Sequence, residues 1–142
     1  MASPMRTGGC LCGSVRFEAS PLRLEMDACH CTMCRRWSGG VFMAVPCGDG
    51  VTFQSAATLG IYRSSEYGER LFCRECGSSL IWRLQDGSSA AVALQAFDDL
   101  SGFVFVEEIF VDEKPDHYAF ANETRKRTGA EVMAQFANEQ GA

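Results

Sequence analysis

The chain has no long apolar run. None of its 142 residues falls in a window approaching the length of a membrane-crossing helix. The opening stretch MASPMRTGGCLCGSV has no apolar core of the kind a secretory leader needs. The expected location is therefore the cytoplasm, with no membrane partner. Positive charge is scarce as well. Thirteen Lys and Arg face eighteen Asp and Glu, a formal net charge of −5. The basic clusters, Arg35-Arg36 and Arg125 to Arg127, are too short to make the broad basic face that nucleic-acid binding uses. No nucleic-acid partner is expected. Internal repeats and long low-complexity tracts are absent too, so residues 1–142 read as one domain. Nothing in the sequence bears on oligomeric state.

What is present is an ordinary globular composition, 46% hydrophobic and 22% charged. Its apolar runs are short and punctuated by Gly and Ser, which predicts β structure. Val15, Phe17 and Ala19 alternate, as on a half-buried strand. Gly40–Val45, the runs beginning at Val51 and Leu59, Ser79–Leu84, Ala90–Phe97 and Phe103–Val111 read as further strands. Pro115 is expected to end the last of these and open a loop. From Thr128 the pattern changes. Thr128 stands three residues before Glu131, a capping-box spacing. Met133, Phe136 and Ala137 then share a helical stripe suited to packing on a sheet. The expected fold is mainly β: a compact arrangement of several short antiparallel sheets with a short C-terminal helix.

Eight cysteines are many for such a chain. In a reducing compartment they are not structural disulfides but metal ligands, reactive thiols or small buried hydrophobes. Seven fall in three groups: Cys10-x-Cys12, Cys29-x-Cys31-x-x-Cys34 and Cys73-x-x-Cys76. Cys47 stands apart and reads as a packed residue at a strand end.

The pair Cys73 and Cys76 sits between RLF and LIW, which suits a hairpin tip, and Gly77 allows the chain to turn so that amides point at sulfur. A redox dithiol is the competing reading, but such motifs open helices, and GSSLIWRL reads as strand. Cys10 and Cys12 could complete a closed four-thiolate structural site with that pair, or could simply be core residues. This division leaves Cys29, Cys31 and Cys34 together, three thiolates with a fourth position for water or substrate, as in a catalytic site.

His30 is the rival for that position, but in an extended stretch it faces away from a metal held by its two neighbours. An open soft site suits a guest thiol, and Arg35 or Arg36 could pair with carboxylates on that guest, although both also read as solvated surface residues. Asp27, His30, Glu107 and Glu108 are proton-shuttle candidates that read equally as structural groups. Three functions follow: an enzyme making or breaking a C–S bond, a non-catalytic zinc-binding interaction module with two structural clusters, or a redox or metal-handling protein.

GGCLCGSVRFEA, CHCTMCRRWSGG and RLFCRECGSSLIW, in this order from Gly8 to Trp82, resemble the glutathione-dependent formaldehyde-activating enzyme family, which also contains relatives of centromere protein V. The resemblance implies a mostly β zinc fold. It implies a structural zinc on Cys10, Cys12, Cys73 and Cys76, and a catalytic zinc on Cys29, Cys31 and Cys34 that is lost or displaced when glutathione binds. The implied activity is that of a carbon–sulfur lyase, forming or cleaving S-hydroxymethylglutathione. Glutathione is then the co-substrate, and a small thiol or thiol adduct the partner.

Overall fold

The computed structural model describes residues 3–141, with side chains as far as residue 138. In chain order the strands are β1 (Arg6–Gly9), β2 (Arg16–Ala19), β3 (Glu25–Cys29), β4 (Phe42–Gly48), β5 (Val51–Ser55) and β6 (Leu59–Arg63). They continue with β7 (Gly68–Cys73), β8 (Ser79–Leu84), β9 (Ala90–Ala93), β10 (Val104–Ile109) and β11 (Arg125–Arg127). Two helices join them, α1 (Thr32–Ser38) and α2 (Gly129–Gly141). The fold is mainly β and mostly antiparallel, as the short alternating runs predict. Its contacts gather into two compact units, Met1–Glu25 with Ala44–Phe103, and Met26–Met43 with Val104–Ala142.

In the first unit, β1, β2 and β5 form an antiparallel three-stranded sheet. A second run of strands lies in the order β4-β9-β8-β7-β6. The alternation read on β2 is observed: Val15, Phe17 and Ala19 are all fully buried. Phe17 meets Phe53 and Phe97 edge to face, with ring centroids 6.4 and 5.8 Å away. Leu71, Leu80, Ile81, Val45 and Val92 fill the core of the other strands. One carboxylate, Glu69 on β7, is also buried there. The register sets it opposite Arg83 of β8, which bonds it at 2.7 Å. That pairing offsets the cost of burying the charge.

Several boundaries differ from the periodicity. The run at Gly40–Val45 becomes strand only at Phe42 and continues to Gly48. The run Ala90–Phe97 leaves the sheet after Ala93 in a 3₁₀ turn over Leu94–Ala96, which brings Phe97 back to bridge Gly8 and pack on Phe17. β10 starts at Val104, one residue later than read, and ends at Ile109, well before Pro115. There Phe110 takes a left-handed backbone (φ 55°) and a 3₁₀ turn follows.

In the second unit, β3, β10 and β11 are neighbours in the order β11-β10-β3, and β10 pairs with β11 in parallel. Glu107 of β10 is buried and held by Arg125 at 2.5 Å and Arg127 at 2.9 Å. Helix α2 starts with the expected reciprocal cap. Thr128 N donates to Glu131 Oε1 at 2.8 Å, and Glu131 N donates to Thr128 Oγ1 at 3.2 Å. Its apolar stripe is only partly covered: Val132 and Phe136 are half-buried, while Met133 is exposed. Among the described residues no helix is long and apolar enough to cross a membrane.

Replacing Phe17 by Ala removes a fully buried ring from between two others. We expect a loss of about 3–5 kcal/mol of stability, read as a lower denaturation midpoint. Leu11→Ala, at a side chain 88% exposed, should leave the midpoint unchanged.

Candidate metal and thiol site

Two groups of cysteines come together, one in each unit. The first is built from two hairpin tips. Cys10 and Cys12 lie in the turn between β1 and β2, where Cys10 N donates to Val15 O and Gly13 N to Cys10 O. Cys73 ends β7 and Cys76 lies in the turn to β8, where Cys73 N donates to Ser78 O. Gly77 makes that turn in a left-handed conformation (φ +78°), which costs a residue without a Cβ little. All four sulfurs lie within 4.8 Å of one another and could hold a metal ion.

The fit to zinc is close. Four sulfurs at the usual Zn–S distance and tetrahedral angle stand about 3.8 Å apart. Cys10 and Cys12 are separated by 3.6 Å, and Cys12 and Cys73 by 3.8 Å. Donors surround the sulfurs. The Ser78 hydroxyl and amide, with the Cys12 amide, lower the Cys76 thiol to about 5. The Thr58 hydroxyl, 3.4 Å from Cys73 Sγ, and the amides of Cys76 and Glu75 lower Cys73. Cys10 is pushed up by its burial, against the Val15 amide that bonds its sulfur at 3.2 Å.

The second group is Cys29, Cys31 and Cys34, whose sulfurs also lie within 4.8 Å of one another. Cys29 ends β3, Cys31 caps α1, and Cys34 is buried inside that helix. Periodicity did not reveal α1, because seven residues make too short a window. Cys34 N donates to Cys31 Sγ at 3.3 Å, and Thr32 N and Oγ1 both donate to Glu113 Oε1. Gly39 closes the helix in a left-handed conformation. The neighbouring thiols Cys31 and Cys34, together with burial, hold Cys29 far above an ordinary thiol. Three ionised sulfurs this close need a cation between them, which suits a thiophilic divalent metal.

His30 is not part of the group. Its ring is fully buried, with Nε2 2.8 Å from Glu108 Oε1 and Nδ1 2.8 Å from the Tyr118 hydroxyl. Of the two arginines, Arg35 is half-buried and donates to the carbonyls of His30 and Glu113 and to Thr32 Oγ1. Arg36 is exposed. Arg35 lines a cleft of about 370 Å³ in the second unit, together with residues 39–41, Pro115, His117 and Tyr118; Arg36 does not. No carboxylate forms an ion pair with Arg35 among the described residues. Of the other candidates, Glu107 is taken by Arg125 and Arg127, and Asp27 is half-buried on β3.

The segment DHYAF gave no sequence signal, although it supplies His117 and Tyr118 to the cleft. The available clue was the carboxylate pair in FVFVEEIFV, since acids within an apolar strand require buried partners. Cys47 is buried, and burial alone raises its thiol to about 12, in keeping with a packed residue.

Known proteins resemble the chain along most of its length. A protein of Schizosaccharomyces pombe named as an uncharacterized lyase is 33% identical over 131 residues, 92% of this chain and 96% of that one. A Halomonas elongata protein carrying the name of a glutathione-dependent formaldehyde-activating enzyme is 34% identical over 82 residues; the match spans about half of each chain, 51% and 52%. The crystal structure of a Rhodobacter sphaeroides protein shares the fold, with a TM-score of 0.58 at 22% identity, over 68% of this chain and 91% of that one. Residues 5–113 match the family described as glutathione-dependent formaldehyde-activating enzyme, and the chain belongs to that family.

Proposed function

We propose that the protein is a zinc-dependent carbon–sulfur lyase acting on the adduct of a small thiol, of the glutathione type, with an aldehyde. The observation that carries this reading is the three-sulfur group Cys29, Cys31 and Cys34, followed directly by Arg35, which lines a cleft and has no carboxylate ion pair among the described residues. A purely structural pair of clusters would not need an arginine-lined cleft. The lyase name of the yeast relative and the family match support the class of reaction.

In this reading Cys10, Cys12, Cys73 and Cys76 hold a closed zinc that supplies folding energy. Cys29, Cys31 and Cys34 hold a second zinc, which when bound supplies the positive charge that favours the thiolate form of a guest thiol. The remaining work falls to the chain. Arg35 offers N–H donors to a carboxylate of the guest, and the bonds from its Nε and Nη2 to fixed oxygens keep the guanidinium oriented. Its orientation is therefore set before substrate arrives, which is the condition for holding the adduct in a reactive pose. Arg36, exposed and outside the cleft, has the lesser claim to that role.

The family match runs through segments of both compact units and supports treating residues 1–142 as one functional domain. Seven of the eight cysteines fall in the two metal-ligand groups, the use cysteine finds in a reducing compartment, and the cytoplasm is the location we infer. The net charge of −5 argues against a nucleic-acid partner.

Protein purified without chelator should carry between one and two zinc ions per chain by elemental analysis. A value near zero would overturn the metal assignment. Cys73→Ser should lose the closed site and with it solubility or a large part of the stability. Full thermal stability in that variant would break the proposed four-sulfur pairing. Exchange NMR on mixtures of glutathione with aldehydes should show faster adduct interconversion with the wild-type protein. Cys31→Ser should remove this acceleration while keeping the fold. Binding without acceleration in the wild type would favour an interaction module instead.

A further inference from the structure

The cleft beside Arg35 has no cysteine in its lining, so its chemistry is set by other groups. Its cation is fixed in place. Arg35 Nε donates to His30 O at 2.9 Å, and Nη2 donates to Thr32 Oγ1 and to Glu113 O, each at 3.3 Å. These three oxygens are neutral, and Nη1 meets no hydrogen-bond partner among the described residues. The nearby acid Glu113 spends Oε1 on Thr32 N and Oγ1. A second cation stands close by. The Lys114 ammonium lies 4.9 Å from the centre of the Tyr118 ring and donates to Pro115 O at 2.9 Å, again a neutral oxygen. Neither cation has a carboxylate ion pair among the described residues.

The other walls are carbon and bare backbone. Val41, Pro115 and the Tyr118 ring supply apolar surface. Tyr118 is held by its hydroxyl, 2.8 Å from His30 Nδ1, and by Phe120, whose ring centroid lies 6.4 Å away. Gly39 and Gly40 keep part of the wall free of side chains, and a Cβ on either would meet nothing within 4 Å. A guanidinium among carbon walls attracts a carboxylate more strongly than one in open water, because the local dielectric is lower. A volume of about 370 Å³ suits a small molecule.

We propose that this cleft is a binding site for a small acid with an apolar body. The carboxylate pairs with the Nη1 edge of Arg35, and Lys114 adds positive charge beside it. The apolar body lies against Val41, Pro115 and Tyr118. Binding needs neither metal nor thiol. The site goes beyond the lyase reading, which gives Arg35 a carboxylate but assigns nothing to the carbon walls, and it does not depend on a C–S bond being made or broken.

The probe is benzoate, with benzamide as its uncharged counterpart. Each is titrated into the full-length, zinc-loaded protein and followed by calorimetry and ¹H–¹⁵N NMR. Benzoate should bind with a Kd of roughly 1 mM or tighter and shift the Arg35 Nε–H and the amides of Gly40 and Val41. Benzamide should bind about tenfold more weakly or worse, since it brings no charge to the guanidinium. Arg35→Gln should weaken benzoate by a similar factor and leave benzamide unchanged. Gly40→Leu, at a position with room and outside the left-handed backbone region, should weaken both by filling the cleft. Cys31→Ser keeps a capping side chain for α1 and removes one of the three sulfurs, so it should bind benzoate as wild type does. Equal affinity for benzoate and benzamide overturns the proposal, whatever Arg35→Gln does to the fold. Shifts confined to residues outside the cleft overturn it too. Benzoate binding lost in Cys31→Ser at an unchanged melting temperature also overturns it, since the carboxylate then depends on the sulfur group. Adduct turnover without benzoate binding overturns the acid site and leaves the lyase reading standing. Benzoate binding as described, in a protein that turns over no thiol adduct, overturns the lyase reading alone.

Discussion

Crowded sulfur is the constraint on which the rest of the molecule depends. Two groups of cysteines hold their sulfurs within 4.8 Å of one another. At that spacing the thiols cannot all ionise without a counter-charge, and each either keeps its proton or shares a cation. The two groups meet this constraint differently. Around Cys73 and Cys76, hydroxyl and amide donors pull the thiols down toward the ionised form. Around Cys29, the neighbouring thiols and burial push the proton on.

Hairpins explain the first arrangement. A tight turn brings Cys10 near Cys12, and another brings Cys73 near Cys76, each at the cost of only a few ordered residues. The long-range part is the meeting of the two turns, with 61 residues separating Cys12 from Cys73. A metal bond that closes so long a loop removes much conformational freedom from the unfolded chain.

The site was legible wherever chemistry is written in local spacing. Cysteine pairs followed by glycine announce metal-binding turns, and Thr128 with Glu131 announces a helix start. Strand β2 was legible for the same reason, since the alternation of Val15, Phe17 and Ala19 needs no tertiary information, and β5 and β8 were legible as short runs bounded by turn residues. Helix α1 was not, because its shape comes from Cys31 and Glu113 capping its first turn, the latter from 81 residues away. The ends of β9 and β10 were not legible either. Phe97 leaves its strand to reach Phe17, and Phe110 turns through a backbone region that no pattern of hydrophobicity encodes. The set of Glu108, His30 and Tyr118 spans 88 residues of chain, and only its members' residue types, not their meeting, were visible.

His30 shows what separates a ligand from a neighbour of ligands. It stands between two cysteines, has a nitrogen suited to zinc, and is fully buried. Yet both ring nitrogens are already engaged, one by a carboxylate and one by a phenol, each at 2.8 Å. To join the sulfurs it would have to leave Glu108 Oε1, a buried carboxylate oxygen, without that bond. The alternation of an extended chain and the electrostatics of a buried acid therefore act in the same direction. The three sulfurs are left without the histidine between them, and the imidazole is left facing the phenol at the cleft. One short segment thus divides by side of the chain: its three sulfurs gather together, and its imidazole bonds a carboxylate and a phenol instead.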